Sequence, residues 1–575
     1  MKPTPRFRPF LAACFLLLPI LLAGASNAAA ASRAAALASA MSLEEKVGQV
    51  FMVWFEGAAV GADIAGLIRD RHLGGVILYT APGNIESPLQ LAGLTAGLQQ
   101  QAASGRGIGL LVGIDQEGAP VDRLRRGFTV FPSQMALAAT GRADLAGQAA
   151  ASTARELRAV GINTDFAPVA DVNINPANPV IGIRSFGSNP ADAARFAAAA
   201  TAGFVGAGVV CTPKHFPGHG DTAVDSHVGL PRVDHDAATL ATVDFPPFRS
   251  AFAAGAPAVM TAHVLAPALD PEGMPATLSR NVLSGVLRGR LGFDGVIFTD
   301  SLGMGAVAAT YGTPEAAVLA LAAGADVLLI GADAGRPAAE RLEAMDRVAE
   351  AVRSGRVPLS RLNAAASRVL RLKERYGLLD AARLATPPAP DIAKRVGRPE
   401  DAALARRIAV RSLTAFDPVG AVLPLPAGSA TLVVRPRLGR DVIDAEAEAA
   451  IAAWNGPRTL FLPTDPDEAA ITDAVHRTRE ARDVVLLVTN ARSRTGQQRL
   501  AEALSAATPG RFILVAAQSP YDISILPPAA VRIATYGEAP ASLEALGRGL
   551  FTPFQFAGRC PADLGGQGNA PAARP

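Results

Sequence analysis

The sequence predicts an α/β protein, an N-terminal (β/α)8 TIM-type barrel followed by a smaller α/β sandwich domain. Three observations support this. Eight short apolar runs alternate with helix-like segments between about residues 40 and 380, as expected of a parallel sheet buried on both faces. Five successive runs end in ionisable or polar residues, and a barrel gathers such strand ends on one face. The proline-rich stretch Thr386-Pro387-Pro388-Ala389-Pro390 then separates this region from a second, shorter alternating one. With 575 residues, of which 50% are apolar, the chain has length and material for two cores.

The elements follow in order. Lys2, Arg6 and Arg8 precede an apolar run over 10–22, and small residues at 23–25 and 28–30 offer cleavage sites, so residues 1–30 read as a signal peptide. The run is too short to span a membrane. Leu11-Ala12-Ala13-Cys14 has the look of a lipoprotein box, but the apolar run continues past the cysteine. Ordinary cleavage is therefore expected, giving a periplasmic or secreted product with no stable membrane insertion. Cys211 and Cys560 remain, in different predicted domains, and no disulfide between them is expected.

Ser42-Leu43-Glu44-Glu45 is a capping box that starts a helix. The eight strand-like runs lie at 47–55, 75–79, 110–114, 164–169, 209–215, 258–263, 295–299 and 326–330. Asp115 ends the third, Asp171 and Asn173 follow the fourth, and Lys214-His215 end the fifth. His263 ends the sixth and Asp300 the seventh. One Asp after a strand is ordinarily a helix N-cap; five polar strand ends in succession point to a site. A doubly wound sheet fits the same alternation, because periodicity does not register closure.

Helical patterns continue at 342–352 and 360–375. The predicted division is a barrel domain over 31–384, a stiff Pro-rich linker over 385–398, a C-terminal α/β domain over 399–564 and a disordered tail over 565–575. The second domain has a helix near 399–413 and strand candidates at 431–434, 460–462, 484–489, 512–516 and 533–536. No ligand motif stands out in it by spacing.

A net charge of +3, no basic run and 5% aromatic content exclude nucleic acid as a partner. The chemistry concentrates in residues 214–227, which hold three of the seven histidines together with a Lys, two Asp and two Gly. Pro217-Gly218 and Gly220 make the stretch a loop. Polar residues placed just after an apolar strand are costly to bury unless paired or at work. Asp225 and His227 are spaced so that the carboxylate can accept a hydrogen bond from the ring, which orients it and raises its pKa. Asp300, in Phe298-Thr299-Asp300-Ser301-Leu302-Gly303-Met304, is a candidate carboxylate nucleophile. A nucleophile on one face of a sugar carbon and an acid/base near the leaving oxygen make a retaining glycosidase. The rival is a metal-dependent barrel hydrolase. No His-x-His pair follows an early strand and the histidines crowd one loop, so neither metal nor cofactor is expected.

Lys214-His215-Phe216-Pro217-Gly218-His219-Gly220 with Asp225-Ser226-His227 resembles the hallmark of glycoside hydrolase family 3, in its β-N-acetylglucosaminidase branch. Asp115-Gln116-Glu117-Gly118, Ile183-Arg184-Ser185-Phe186-Gly187 and Val259-Met260-Thr261-Ala262-His263-Val264 support the resemblance. Ser519-Pro520-Tyr521-Asp522 and Tyr536-Gly537-Glu538-Ala539-Pro540 extend it to the second domain, as in the two-domain, exported type. The resemblance implies Asp300 as nucleophile and His227, paired with Asp225, as general acid/base. It implies Asp115, Arg123, Arg184, Lys214 and His215 around the sugar; Met304, just after the candidate nucleophile, is a further candidate substrate-binding residue.

Two positions depart from the family pattern. Its usual Gly-Gly-Arg reads Gly118-Ala119-Pro120 here, while Arg123 keeps its place, and the usual acidic residue after the nucleophile is Ser301. The family's β-glucosidase branch takes its acid/base Glu from the second domain, a borrowing that the Asp-Ser-His loop makes unnecessary. The expectation is an exported exo-β-N-acetylglucosaminidase acting on peptidoglycan fragments or chitin oligosaccharides. A β-glucosidase or β-xylosidase, and an inactive carbohydrate-binding relative, are the alternatives.

Overall fold

The computed structural model describes residues 33–384, 390–426, 430–454 and 456–565. The expected signal peptide, the prolines of 386–389 and the tail beyond residue 565 lie outside the described residues.

The eight apolar runs form eight short strands: β1 (Phe51–Val53), β2 (Gly75–Ile77), β3 (Leu111–Ile114), β4 (Thr164–Asp165), β5 (Val210–Cys211), β6 (Ala258–Met260), β7 (Val296–Phe298) and β8 (Leu328–Ile330). Six of them pair in parallel in the order β8-β1-β2-β3-β4-β5, and β6 pairs in parallel with β7. Two parallel bridges join these pieces. Phe216 pairs with Thr261 between β5 and β6, and Phe298 pairs with Val327 between β7 and β8. Backbone bonds run across both joints, Phe216 N to Met260 O at 2.9 Å and Thr299 N to Val327 O at 3.0 Å. The sheet is therefore a closed barrel and not a doubly wound sheet.

The lumen is filled by side chains from every strand or its immediate continuation, including Met52, Ile77, Leu111, Phe166, Val210, Met260, Phe298 and Leu329. Phe166 meets Phe298 edge to face at 5.6 Å. Gly113 makes room for this layer, since a Cβ there would sit 2.9 Å from the Phe166 ring. The opposite strand faces pack on the surrounding helices. The first run divides differently from its apolar pattern. The Ser42–Glu45 capping box starts a helix, Leu43–Gln49, so Val47 is a buried helical residue and the strand begins only at Phe51.

The second domain is a sandwich built on six strands: β9 (Thr414–Ala415), β10 (Thr431–Pro436), β11 (Arg458–Leu462), β12 (Asp483–Val488), β13 (Phe512–Ala516) and β14 (Val531–Ala534). Their order is β9-β14-β13-β12-β10-β11, parallel except for the edge strand β9. Apolar clusters cover both faces. Helix Pro399–Ser412, started by its proline, leads in from the barrel. The segment before it packs closely: Ile392 and Val396 are buried, and the Gly397 N–H donates to Glu156 at 2.8 Å. Cys211 is buried on β5, Cys560 is half-buried, and both are free thiols.

Candidate active site

A cavity of about 440 Å³ opens at the carboxyl ends of the barrel strands. Asp115, Arg123, Arg184, Lys214, His215, His227, Asp300 and Met304 all line it, and Asp225 stands behind His227. Every site residue expected from the sequence is thus at this one place.

Its floor is a buried charge network. Lys214, at the end of β5, reaches Asp115 at 2.8 Å and Glu117 at 2.7 Å. Arg184 grips Glu117 with two parallel bonds of 2.8 Å, the fork-to-fork geometry that suits guanidinium and carboxylate. Burial opposes the charge on Glu117, yet Arg184 and Lys214 hold its carboxyl far below the ordinary range. Burial likewise opposes the Lys214 charge, and Asp115 with Glu117 outweighs it, leaving the pKa raised. Arg123 lies 3.7 Å from Asp115 and over the Tyr79 ring. These groups present a fixed set of donors and acceptors of the kind that matches sugar hydroxyls without reorganising.

Asp171, beyond β4, holds the next layer. It accepts from His215 Nδ1 at 2.7 Å and from the His219 N–H at 2.8 Å, so one carboxylate sets both the ring and the turn after it. His215 Nε2 then faces Arg184 at 3.5 Å. His219 is buried, which together with nearby His215 lowers its pKa to about 4, a neutral ring at physiological pH. That ring bonds Thr222 at 2.7 Å and Ser226 at 3.1 Å, tying the loop that carries His227 to the barrel.

Asp300 follows β7, with its Oδ1 accepting the Ser301 N–H at 2.7 Å. Burial pushes its pKa up, but His215, His263 and His227 together pull it below the ordinary value, so it is ionised at neutral pH. His263 Nε2 bonds the Ser301 carbonyl at 2.8 Å and fixes the same turn. Above it, His227 sits on an exposed loop, its Nδ1 at 2.7 Å and its N–H at 2.9 Å from Asp225 Oδ1. The Asp225 hydrogen bond is the largest influence on His227 and raises its pKa against partial burial. The loop docks on the start of helix Gly305–Tyr311, where Gly305 N donates to the His227 carbonyl at 3.2 Å. A Cβ on Gly305 would meet that carbonyl at 2.7 Å, so the approach needs glycine.

The two departures from the family pattern also have structural settings. Ala119-Pro120 forms the tip of a small hairpin, Gln116–Gly118 with Val121–Asp122, joined by a cis peptide bond. Ser301 Oγ donates to Asp333, beyond β8, and accepts from Gly331 N at 2.7 Å, so an acidic side chain enters the cavity from a different strand. Burial raises the Asp333 pKa.

Sequence reasoning left several lining residues without a role: Glu117, His219, Tyr79 and Asp333. Tyr79 and Asp333 end or follow the second and eighth runs, so the strand-end signal applied to Asp115 and Asp300 could have found them. Among the described residues, no group of three or more His, Cys, Asp or Glu side chains is arranged to hold a metal ion.

Residues 42–372 match the family model described as Glycosyl hydrolase family 3 N terminal domain. The chain is 37% identical over 329 residues to Beta-hexosaminidase A of Pseudoalteromonas piscicida, covering 54% of this chain and 55% of that relative, about half its length. It is 30% identical over 561 residues to a Beta-N-acetylglucosaminidase/beta-glucosidase of Cellulomonas fimi, covering 91% of this chain and 94% of the relative. Among solved structures, a glycoside hydrolase family 3 beta-N-acetylglucosaminidase from Paenibacillus sp. str. FPU-7 superposes with a TM-score of 0.83 at 38% identity, covering 91% of this chain and 99% of that one.

Proposed function

The chain belongs to glycosyl hydrolase family 3, and from that premise we propose that it is an exo-β-N-acetylglucosaminidase that removes a non-reducing terminal GlcNAc by a retaining, two-step mechanism. The observation that carries this reading is that one cavity is lined by both an ionised, half-buried Asp300 and a histidine on an exposed loop whose pKa Asp225 raises. In the first step Asp300 attacks the anomeric carbon while protonated His227 gives its proton to the departing oxygen. In the second, neutral His227 takes a proton from water, which displaces Asp300 from the sugar. A group that must be acid and then base works best with a pKa near the working pH, which suits a carboxylate-supported imidazole. Asp115, Arg123, Arg184, Lys214, His215 and Met304 hold the sugar.

The names of the hexosaminidase and glucosaminidase relatives support GlcNAc as the sugar removed. Peptidoglycan fragments are the substrate class and export the location, the latter resting on the leader-like residues 1–30. The Cellulomonas relative's second named activity keeps a β-glucosidase as the second reading. The test is hydrolysis of 4-nitrophenyl β-GlcNAc beside the glucose and xylose analogues. Preference for the GlcNAc substrate is expected. Preference for glucose or xylose would install the second reading, and no turnover of any of the three would make the chain a carbohydrate-binding relative.

A further inference from the structure

We propose that the C-terminal domain is a clamp that positions the barrel's charge network, with Tyr521 and Arg440 as its two positioning residues. The Glu117–Arg184 pair joins two barrel segments, the hairpin Gln116–Gly118 with Val121–Asp122 and the short turn Gly182–Arg184. Neither segment belongs to the closed strand ladder, and the second domain grips each of them from behind.

At the turn, Asn173 Oδ1 accepts the Gly182 N–H at 3.0 Å. The Tyr521 hydroxyl, from the second domain, donates to the Asn173 carbonyl at 2.9 Å and accepts from Asn173 Nδ2 at 3.2 Å. Both residues are buried. Ile183, one residue before Arg184, packs in a cluster with Tyr521 and Tyr536. Tyr521 is itself held, because Asp522 accepts the N–H groups of Ala491 and Arg492 at 2.9 and 3.1 Å.

At the hairpin, Arg440 donates to the Pro120 carbonyl at 3.1 Å. Arg125 ties the other end, bonding Asp122 at 2.5 and 2.6 Å and Glu446 of the second domain at 3.1 Å. The loop that presents Arg440 is organised by Asp444, which accepts the N–H groups of Leu438, Gly439 and Arg440 at 2.9, 2.9 and 3.0 Å. Asp444 is braced by buried Arg435, and Arg435 by Glu538 at 2.7 Å. Both second-domain stretches singled out in the sequence, 519–522 and 536–540, therefore end at the clamp. Other bonds between the domains, such as Arg559 N to Ala139 O at 2.9 Å and Ser188 N to Pro561 O at 3.0 Å, fall elsewhere on the barrel; the Tyr521 and Arg440 bonds are set apart by reaching the two segments that carry one ion pair of the cavity. A site on loops keeps its geometry only if surrounding bonds lock it, and small misplacements of positioning groups lower catalytic efficiency steeply.

The inference rests on the cavity being the proposed sugar site, and its test separates the two. Tyr521→Phe keeps the ring and removes the hydroxyl, and Arg440→Ala removes the donor at the hairpin tip. Arg511→Ala, which breaks the Arg511–Asp483 pair inside the second domain, is the control for simple loss of stability. Each clamp variant should raise KM for 4-nitrophenyl β-GlcNAc by about 2- to 10-fold, the span of one net hydrogen bond, with kcat nearly unchanged. Hydrogen–deuterium exchange should quicken over residues 173–187 in Tyr521→Phe and over 116–123 in Arg440→Ala. Arg511→Ala should lower Tm and move neither. Unchanged exchange at both segments, or an equal KM rise in Arg511→Ala, overturns the clamp. A wild-type protein inactive on GlcNAc substrates overturns the proposed function instead, and the exchange data still decide the clamp.

Discussion

Replacing Asp225 with Asn separates charge from geometry at the rim of the cavity. The amide oxygen can still accept from the ring and from the His227 N–H, which reach Asp225 Oδ1 at 2.7 and 2.9 Å. A hydrogen bond to a charged group exceeds a neutral one by about 1 kcal/mol. The His227 side chain is 59% exposed, so solvent screens part of that difference. What remains is roughly 0.5–1 kcal/mol, about a two- to fivefold loss of protonated ring on the alkaline side. The direction follows from the raised pKa of His227: without the carboxylate, the falling alkaline limb of kcat/KM moves to lower pH.

His227→Ala removes the donor altogether, and substrates with alkoxide leaving groups should lose about 10²- to 10⁴-fold in kcat/KM. Nitrophenolate leaves without help, so its kcat/KM should hardly change, while its slowed second step produces a burst and a lower kcat. Linkage confines the stabilising effect of the pair to the window between the lowered Asp225 pKa and the raised His227 pKa. It is lost on acidification as Asp225 protonates and on alkalinisation as His227 deprotonates, so the Tm deficit of Asp225→Asn should be greatest inside that window. The assay is a leaving-group series on both variants at several pH values. If both slow good and poor leaving groups equally, His227 is not the general acid and its loop is a binding element.

Three further outcomes are expected. Asp300→Ala should abolish turnover, and a slow fluorinated glycosyl donor should label Asp300 in the wild type; mass spectrometry that finds the label on another carboxylate sinks the assignment. Exhaustive chelation should leave activity intact, since Asp115 and Glu117 are matched by Lys214 and Arg184, and Asp171 by His215; loss of activity restored by zinc would revive the metal-dependent reading. Lys373→Met should stabilise the barrel, because Lys373 is fully buried with Gln49 as its bonded partner at 2.7 Å and its pKa is lowered to about 7. Stability of the wild type should rise between pH 7 and the ordinary lysine pKa, where the unfolded chain binds the extra proton, so the Tm gain of the variant should be largest below pH 7 and shrink above it. A gain independent of pH would show that the lysine is not the source.

The barrel was legible because strands buried on both faces leave near-continuous apolar runs, and because polar residues at their ends stand out against that background. Closure was not legible: it rests on two backbone bridges, Phe216 with Thr261 and Phe298 with Val327, and no side-chain pattern marks them. The edge strand Thr414–Ala415 is two residues long, below what alternation can signal. Within the site, the Asp225–His227 contact could be expected because it spans two residues. The Glu117–Arg184 pair spans 67 and the Tyr521–Asn173 bond 348, so chain topology alone decides them. Short-range spacing thus carries the groups with chemistry, while their alignment depends on contacts made late and far along the chain. The same division assigns consequences to substitutions. A change within 214–227 or at Asp300 should strike the reaction itself, whereas a change at Tyr521 or Arg440 should leave the reacting groups intact and loosen the frame that aims them.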